Sequence, residues 1–197
     1  QDLPSAGYQS IAGIDNPAPW STFATLSDGS RVHFDGATVT HQASDGSFLA
    51  TLHAFPSFLF TGAIAIDPNE DSLLVGESTN GDVFRVELDG TGATYLANLP
   101  YNFDAAYEGP GSVLISAATC GFSCGNDIYR VDTSTGATEA VAHVSGPSGP
   151  LAFAANGDLY YGPSLDAFPA PAASGELWRF DSNDLAGPAL LSDSDAT

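Results

Sequence analysis

The chain has 197 residues, 43% of them apolar, which allows one domain with its own core and excludes a disordered chain. Only 14% of the residues are charged, yet the net charge is −20, because there is no lysine and only four arginines: Arg31, Arg85, Arg130 and Arg179. Such a surface repels phosphate backbones and anionic membranes, so nucleic acid is excluded as a partner, and a saline or cation-rich medium suits it.

The chain contains no methionine. Gln1 therefore reads as a processed end, as after removal of a signal peptide. No stretch is long and apolar enough to span a bilayer, so no transmembrane segment is expected. These readings point to a secreted, periplasmic or cell-surface protein.

Residues 1–20 form an N-terminal segment in which Tyr8–Ile14 reads as a strand able to close the last sheet. Four similar units follow, at about 21–55, 62–99, 103–144 and 149–192. Each opens with a strand of alternating small residues: Ser21–Leu26, Gly62–Ile66, Phe103–Tyr107 and Gly149–Ala154. A tight turn comes next, at Asp28-Gly29, Asp67–Asp71, Pro110-Gly111 and Asn156-Gly157, where Gly and Asn tolerate positive φ. The second strands are Arg31–Phe34, Leu73–Gly76, Val113–Ser116 and Leu159–Gly162.

The third strands repeat one pattern: acid, aliphatic, aromatic, Arg, apolar, acid. It appears at Asp82–Glu87, Asp127–Asp132 and Glu176–Asp181, with Thr38–Gln42 as a weak counterpart in the first unit. The arginines recur about every 45–50 residues. Outer strands at Phe48–Phe55, Ala93–Leu99, Ala137–Val144 and about 188–192 complete the units. No window carries an unbroken helical period.

Each unit is thus one twisted antiparallel sheet that cannot bury both faces alone. Sheets of this kind stack around an axis, so the expected fold is an all-β β-propeller with four recognisable four-stranded blades. They close alone, belong to a larger ring, or are completed by another chain. Alternation places Val83, Ile128 and Leu177 on one face and Phe84, Tyr129 and Trp178 on the other, each face packed against a neighbour. The same alternation pairs Arg85 with Glu87, Arg130 with Asp132 and Arg179 with Asp181 as structural ion pairs.

The runs Asn156-Gly157-Asp158-Leu159-Tyr160-Tyr161-Gly162 and Asp127-Ile128-Tyr129-Arg130-Val131-Asp132, the latter followed by Thr135-Gly136, carry a resemblance. From Ser21 to Ser192 the chain resembles the six-bladed propeller group of NHL-repeat and SMP-30/gluconolactonase-like proteins, as an incomplete stretch of one. The lactonase-like members hold a divalent metal with Glu, Asn and Asp at inner-strand ends facing the channel. The positions that match are Asn102 and Asp104, which the resemblance makes candidate ligands for Ca²⁺ or another divalent metal. The other inner strands begin with Ser21, Thr61-Gly62 and Ser148-Gly149, which are poor ligands.

Other motifs read as structure. Asp67-Pro68-Asn69-Glu70-Asp71-Ser72 opens like a calcium loop, but Ser72 and Ser78 stand where that loop needs Gly and Glu, so it reads as a hairpin turn. Cys120 and Cys124 share one Gly-rich loop without the further ligands of a zinc site, and read as a small disulfide ring. His33, His41, His53 and His143 show no metal spacing and read as packing or surface residues. No GxSxG elbow or phosphate loop is present.

The loops from second to third strands, at Asp35-Gly36, Glu77–Gly81, Ala117–Asn126 and Pro163–Gly175, lie on one rim beside the crossovers between sheets, such as Phe55–Phe60. Phe58, Phe60, Phe122, Leu165 and Phe168 are the candidate binding residues of that rim. Two functions stand side by side. One is a secreted, non-catalytic binding or assembly module that takes a protein partner or a second copy of itself. The other is a metal-dependent lactonase-like hydrolase with Asn102 and Asp104 in its metal site.

Overall fold

The computed structural model describes residues 21–57, 59–119, 121, 125–144, 149–163, 176–181 and 184–192. The segment 1–20, with its expected closing strand, lies outside them. The described residues form sixteen strands and no helix. The first sheet holds β1 (Thr22–Thr25), β2 (Arg31–Phe34), β3 (Thr38–Gln42) and β4 (Phe48–Ala54). The second holds β5 (Thr61–Ile66), β6 (Ser72–Glu77), β7 (Asp82–Glu87) and β8 (Ala93–Asn98). In the third are β9 (Asn102–Gly109), β10 (Ser112–Ala117), β11 (Asn126–Asp132) and β12 (Thr138–Val144). The fourth contains β13 (Leu151–Phe153), β14 (Leu159–Tyr161), β15 (Leu177–Asp181) and β16 (Asp184–Ser192). Every sheet is an antiparallel meander in chain order.

Local chemistry makes the turns. Asp28, Asp45, Asp89 and Asp132 each accept the backbone N–H two residues on, at 2.8–2.9 Å. Gly29 follows Asp28 with φ of 85°, a conformation that a side chain would strain. The Ser134 hydroxyl, then the Thr135 and Ser134 amides, hold the Asp132 carboxyl down to about 2. The 67–72 segment is a turn of the same kind: Asp67 Oδ1 accepts Asn69 N–H at 2.9 Å, and Asp67 O accepts Glu70 N–H at 2.8 Å.

Three apolar clusters hold the sheets together, and each joins sheets adjacent in sequence. Val32, Phe34 and Leu52 meet Leu73, Val75 and Val86 between the first and second. Leu74 and Val83 meet Val113, Ile115 and Val131 between the second and third. Leu114 and Ile128 meet Leu159, Tyr161 and Phe180 between the third and fourth. A fully buried Val, Leu or Phe contributes roughly 1.5–3 kcal/mol. Ordering each residue's backbone costs roughly 1–2 kcal/mol, so a sheet without a neighbour has little to stand on.

Burial along the second strands shows which sheets have two neighbours. All six residues of β6 are buried, and so are the last five of β10. In β2 burial alternates: Val32 and Phe34 are buried, while Arg31 and His33 are not. In β14 Tyr160 is likewise only half-buried between Leu159 and Tyr161. The first and fourth sheets therefore each turn one face away from the stack among the described residues.

That layout corrects two sequence expectations. Leu177 occupies the motif position of the fully buried Val83 and Ile128, yet it is 38% exposed, because nothing described covers the far face of the fourth sheet. The arginine pairs also differ. Arg85 meets Glu87, with Nε 3.2 Å from Oε1. Arg130 instead grips Glu108 of β9 with two bonds, Nε at 2.7 Å and Nη2 at 2.8 Å, because Asp132 is taken by its own turn. Arg179 lies 4.0 Å from Asp158 of the turn before β14.

Candidate functional site

The rim is built from crossovers laid on loops. After β4 the chain crosses to β5 over the Asp35–Ala37 loop: Phe55 N–H donates to Ala37 O at 2.8 Å, and Leu59 N–H to Gly36 O at 2.6 Å. Asp35 shapes that loop by accepting Ala37 N–H at 2.8 Å and Thr38 N–H at 2.7 Å. The β8–β9 crossover repeats the plan. Leu99 N–H donates to Gly81 O at 2.7 Å, and Tyr101 N–H to Ser78 O at 2.5 Å. The buried Glu77 carboxylate stiffens the loop beneath by accepting the N–H groups of Thr79, Asn80 and Gly81. Phe60 stands on this rim, 48% exposed. Phe58, Phe122, Leu165 and Phe168 lie outside the described residues, as do Cys120 and Cys124.

Between the first and second sheets the rim opens into a cavity of ≈ 310 Å³, lined by His53, Phe55, Leu59, Asp82, Phe84 and Ala93 among others. Aromatic rings run through its wall. Phe55 sits 5.7 Å from the buried Phe34 and 5.0 Å from Phe84; Phe84 meets Tyr95 edge-on at 5.8 Å. His53 stands edge-on to Phe55 at 4.6 Å. These separations are those of favourable ring pairs. A second cavity of ≈ 360 Å³ lies between the third and fourth sheets, beside Tyr107, Glu108, Phe153 and Leu185. Its one acid, Glu108, is occupied by Arg130 and by the Ser112 hydroxyl, and that pairing holds its carboxyl below the usual range.

Asn102 and Asp104 sit where β9 crosses its two neighbours. Asn102 is wholly buried. Its Oδ1 accepts Ala63 N–H at 3.0 Å, and its Nδ2 donates to Glu77 O at 2.7 Å and Leu99 O at 3.0 Å. Asp104 Oδ2 accepts Leu151 N–H of the fourth sheet at 2.7 Å, and Oδ1 accepts Ala105 N–H at 2.9 Å. Burial raises the Asp104 carboxyl pKa against the pull of these two bonds. Both side chains therefore serve as bolts between sheets. Two such groups fall short of the six or more oxygens that calcium takes. Among the described residues no three His, Cys, Asp or Glu side chains converge as a metal site.

No family model matches the chain, and no curated protein matches it significantly. Solved structures do. A hydrazine synthase of Kuenenia stuttgartiensis superposes with a TM-score of 0.70 at 11% identity, over 97% of this chain and 53% of that one. A nidogen/laminin complex gives 0.68 at 13% identity, over 88% and 66%. A gluconolactonase of Xanthomonas campestris gives 0.62 at 19% identity, over 87% and 62%. The chain has the β-propeller fold. Its four sheets fit an incomplete propeller, and they span between 53% and 66% of these neighbours' lengths.

Sequence reading found the crossover Phe55–Phe60 but missed the cavity under it. The signal was present in two places. Phe55 ends an outer strand, and Asp82 and Phe84 share one face of the repeated strand. Only the packing of the first blade on the second brings them together.

Proposed function

We propose that this protein is a non-catalytic β-propeller, exported from the cell, that acts as a binding or assembly module through its rim. The observation that carries this reading is the open, aromatic-walled cavity between the first two blades, beside the exposed Phe60. It has the character of a ligand site: concave, largely apolar, with few polar groups. The engagement of Asn102 and Asp104 in bonds between blades supports the same reading. So does the nidogen neighbour, which its name describes as part of a complex with laminin.

The gluconolactonase neighbour supports the other reading, a metal-dependent lactonase-like hydrolase. An assay of the purified chain on sugar lactones, with and without added Ca²⁺, separates the two. The binding module predicts no ring opening above the buffer rate in either condition. Ca²⁺-dependent turnover that disappears in Asp104→Asn would overturn it.

A further inference from the structure

The third strands of three blades carry the same two side chains on the face turned toward the preceding blade. An acid comes first and an aromatic two residues later: Asp82 and Phe84, Asp127 and Tyr129, Glu176 and Trp178. In the third blade the acid is satisfied from both sides. The Tyr129 hydroxyl donates to Asp127 Oδ2 at 3.2 Å, and His143 Nδ1 lies 2.6 Å from Oδ1. In the fourth blade Trp178 Nε1–H donates to Glu176 Oε2 at 2.8 Å. The aromatic's own polar atom ties down the acid in each case.

The second blade departs from this rule. Phe84 has no polar atom to give. Asp82 Oδ1 accepts Asn98 Nδ2 at 3.0 Å, and Oδ2 has no partner among the described residues. Both Asp82 and Phe84 line the ≈ 310 Å³ cavity, with the Phe55 ring packed beside that of Phe84 at 5.0 Å. A carboxylate that the other repeats hydrogen-bond through their own aromatic residue here lines a space walled by aromatic rings.

We propose that this cavity is a binding site for an alkylated ammonium ion. The rings attract a cation and give its alkyl groups apolar contact, while the free oxygen of Asp82 supplies the counter-charge. Alternatives match less of the site. A metal ion needs several oxygens, and Asp82 offers one. A guanidinium makes its best pair with two free carboxylate oxygens, and Asn98 already holds one. A neutral apolar ligand would cover the carboxylate without pairing it. The net charge of −20 concentrates cations at the surface and so aids capture. The inference deepens the binding-module reading and rests on it.

The test is an amide-resolved NMR titration of the 197-residue chain with tetramethylammonium chloride, with neopentyl alcohol as a neutral ligand of similar shape. Saturable shifts at Ser57, Phe84 and Ala93 are expected with the cation and not with the alcohol. Asp82→Asn keeps the shape of the site and is expected to weaken binding about three- to fivefold, the scale of losing one partly exposed ion pair. Phe84→Tyr gives the second blade the hydroxyl that Tyr129 has; by tying down Asp82 it is expected to weaken binding as well. A trimethyllysine tripeptide distinguishes sources: tighter binding than the free ion supports a polypeptide ligand, and weaker binding supports a small one. No saturable shift with either cation, equal shifts with the alcohol, or unchanged affinity in Asp82→Asn would overturn the proposal. Lactone turnover by the same preparation would defeat the binding-module reading without altering these shifts, so the two failures are distinguishable.

Discussion

Asn102 shows how one amide can join two blades. It uses one acceptor and two donors, and the space it fills exists because two residues opposite lack side chains. A Cβ on Gly62 would stand 2.1 Å from Asn102 Oδ1, and one on Gly76 would stand 2.0 Å from it. Asn102→Ala would strip the Ala63 N–H and the Leu99 carbonyl of this partner, while the Glu77 carbonyl keeps the Gly81 N–H at 3.1 Å. It is expected to cost about 3 kcal/mol, measured by urea unfolding, since unsatisfied buried groups carry most of such a penalty. A loss under about 1 kcal/mol would show that water replaces the amide. The sequence marks Asn102 as a polar residue opening an inner strand, and the resemblance reads it as a metal ligand. The slot made by Gly62 and Gly76 comes from residues remote in the chain, which is why its role as a bolt could not be read there.

At the scale of the element, the repeated strand behaves according to its neighbours. Val83, Ile128 and Leu177 share a motif position, but among the described residues only the first two have a blade laid over them. Ile128→Ala empties a filled interface and is expected to cost about 3 kcal/mol. Leu177→Ala removes a half-exposed side chain and is expected to cost under about 1 kcal/mol. Paired denaturant curves for the two variants measure the difference, and equal costs would mean that the fourth blade's far face is covered in solution. Alternation, a property of neighbouring residues, made the strands and their faces legible in advance. The partner of Arg130 was not legible, because Glu108 is 22 positions away and becomes its neighbour only when β9, β10 and β11 pair.

For the whole molecule, charge sets the terms. With 24 acids against four arginines, folding gathers like charges that the unfolded chain holds farther apart. Raising NaCl from about 0.01 M to about 1 M shortens the screening length from about 30 Å to about 3 Å. The melting temperature is expected to rise by several degrees across that range. A flat profile by calorimetry would mean that the acids, many of them fixed by turn hydrogen bonds, repel one another little.

The order of the strands, the hairpin turns and the stacked-sheet architecture followed from the sequence by itself, though β16 begins at Asp184 and not near 188, because each rests on side chains within a few positions of one another: alternation for strands, Asp-Gly and Asn-Gly pairs for turns, a recurring motif for blades. The tertiary structure alone decided which faces are covered, that Asn102 and Asp104 serve as bolts, and that Asp82 opens onto an aromatic cavity while its counterparts are tied down. Those properties depend on distances between residues on different blades, and only packing sets such distances.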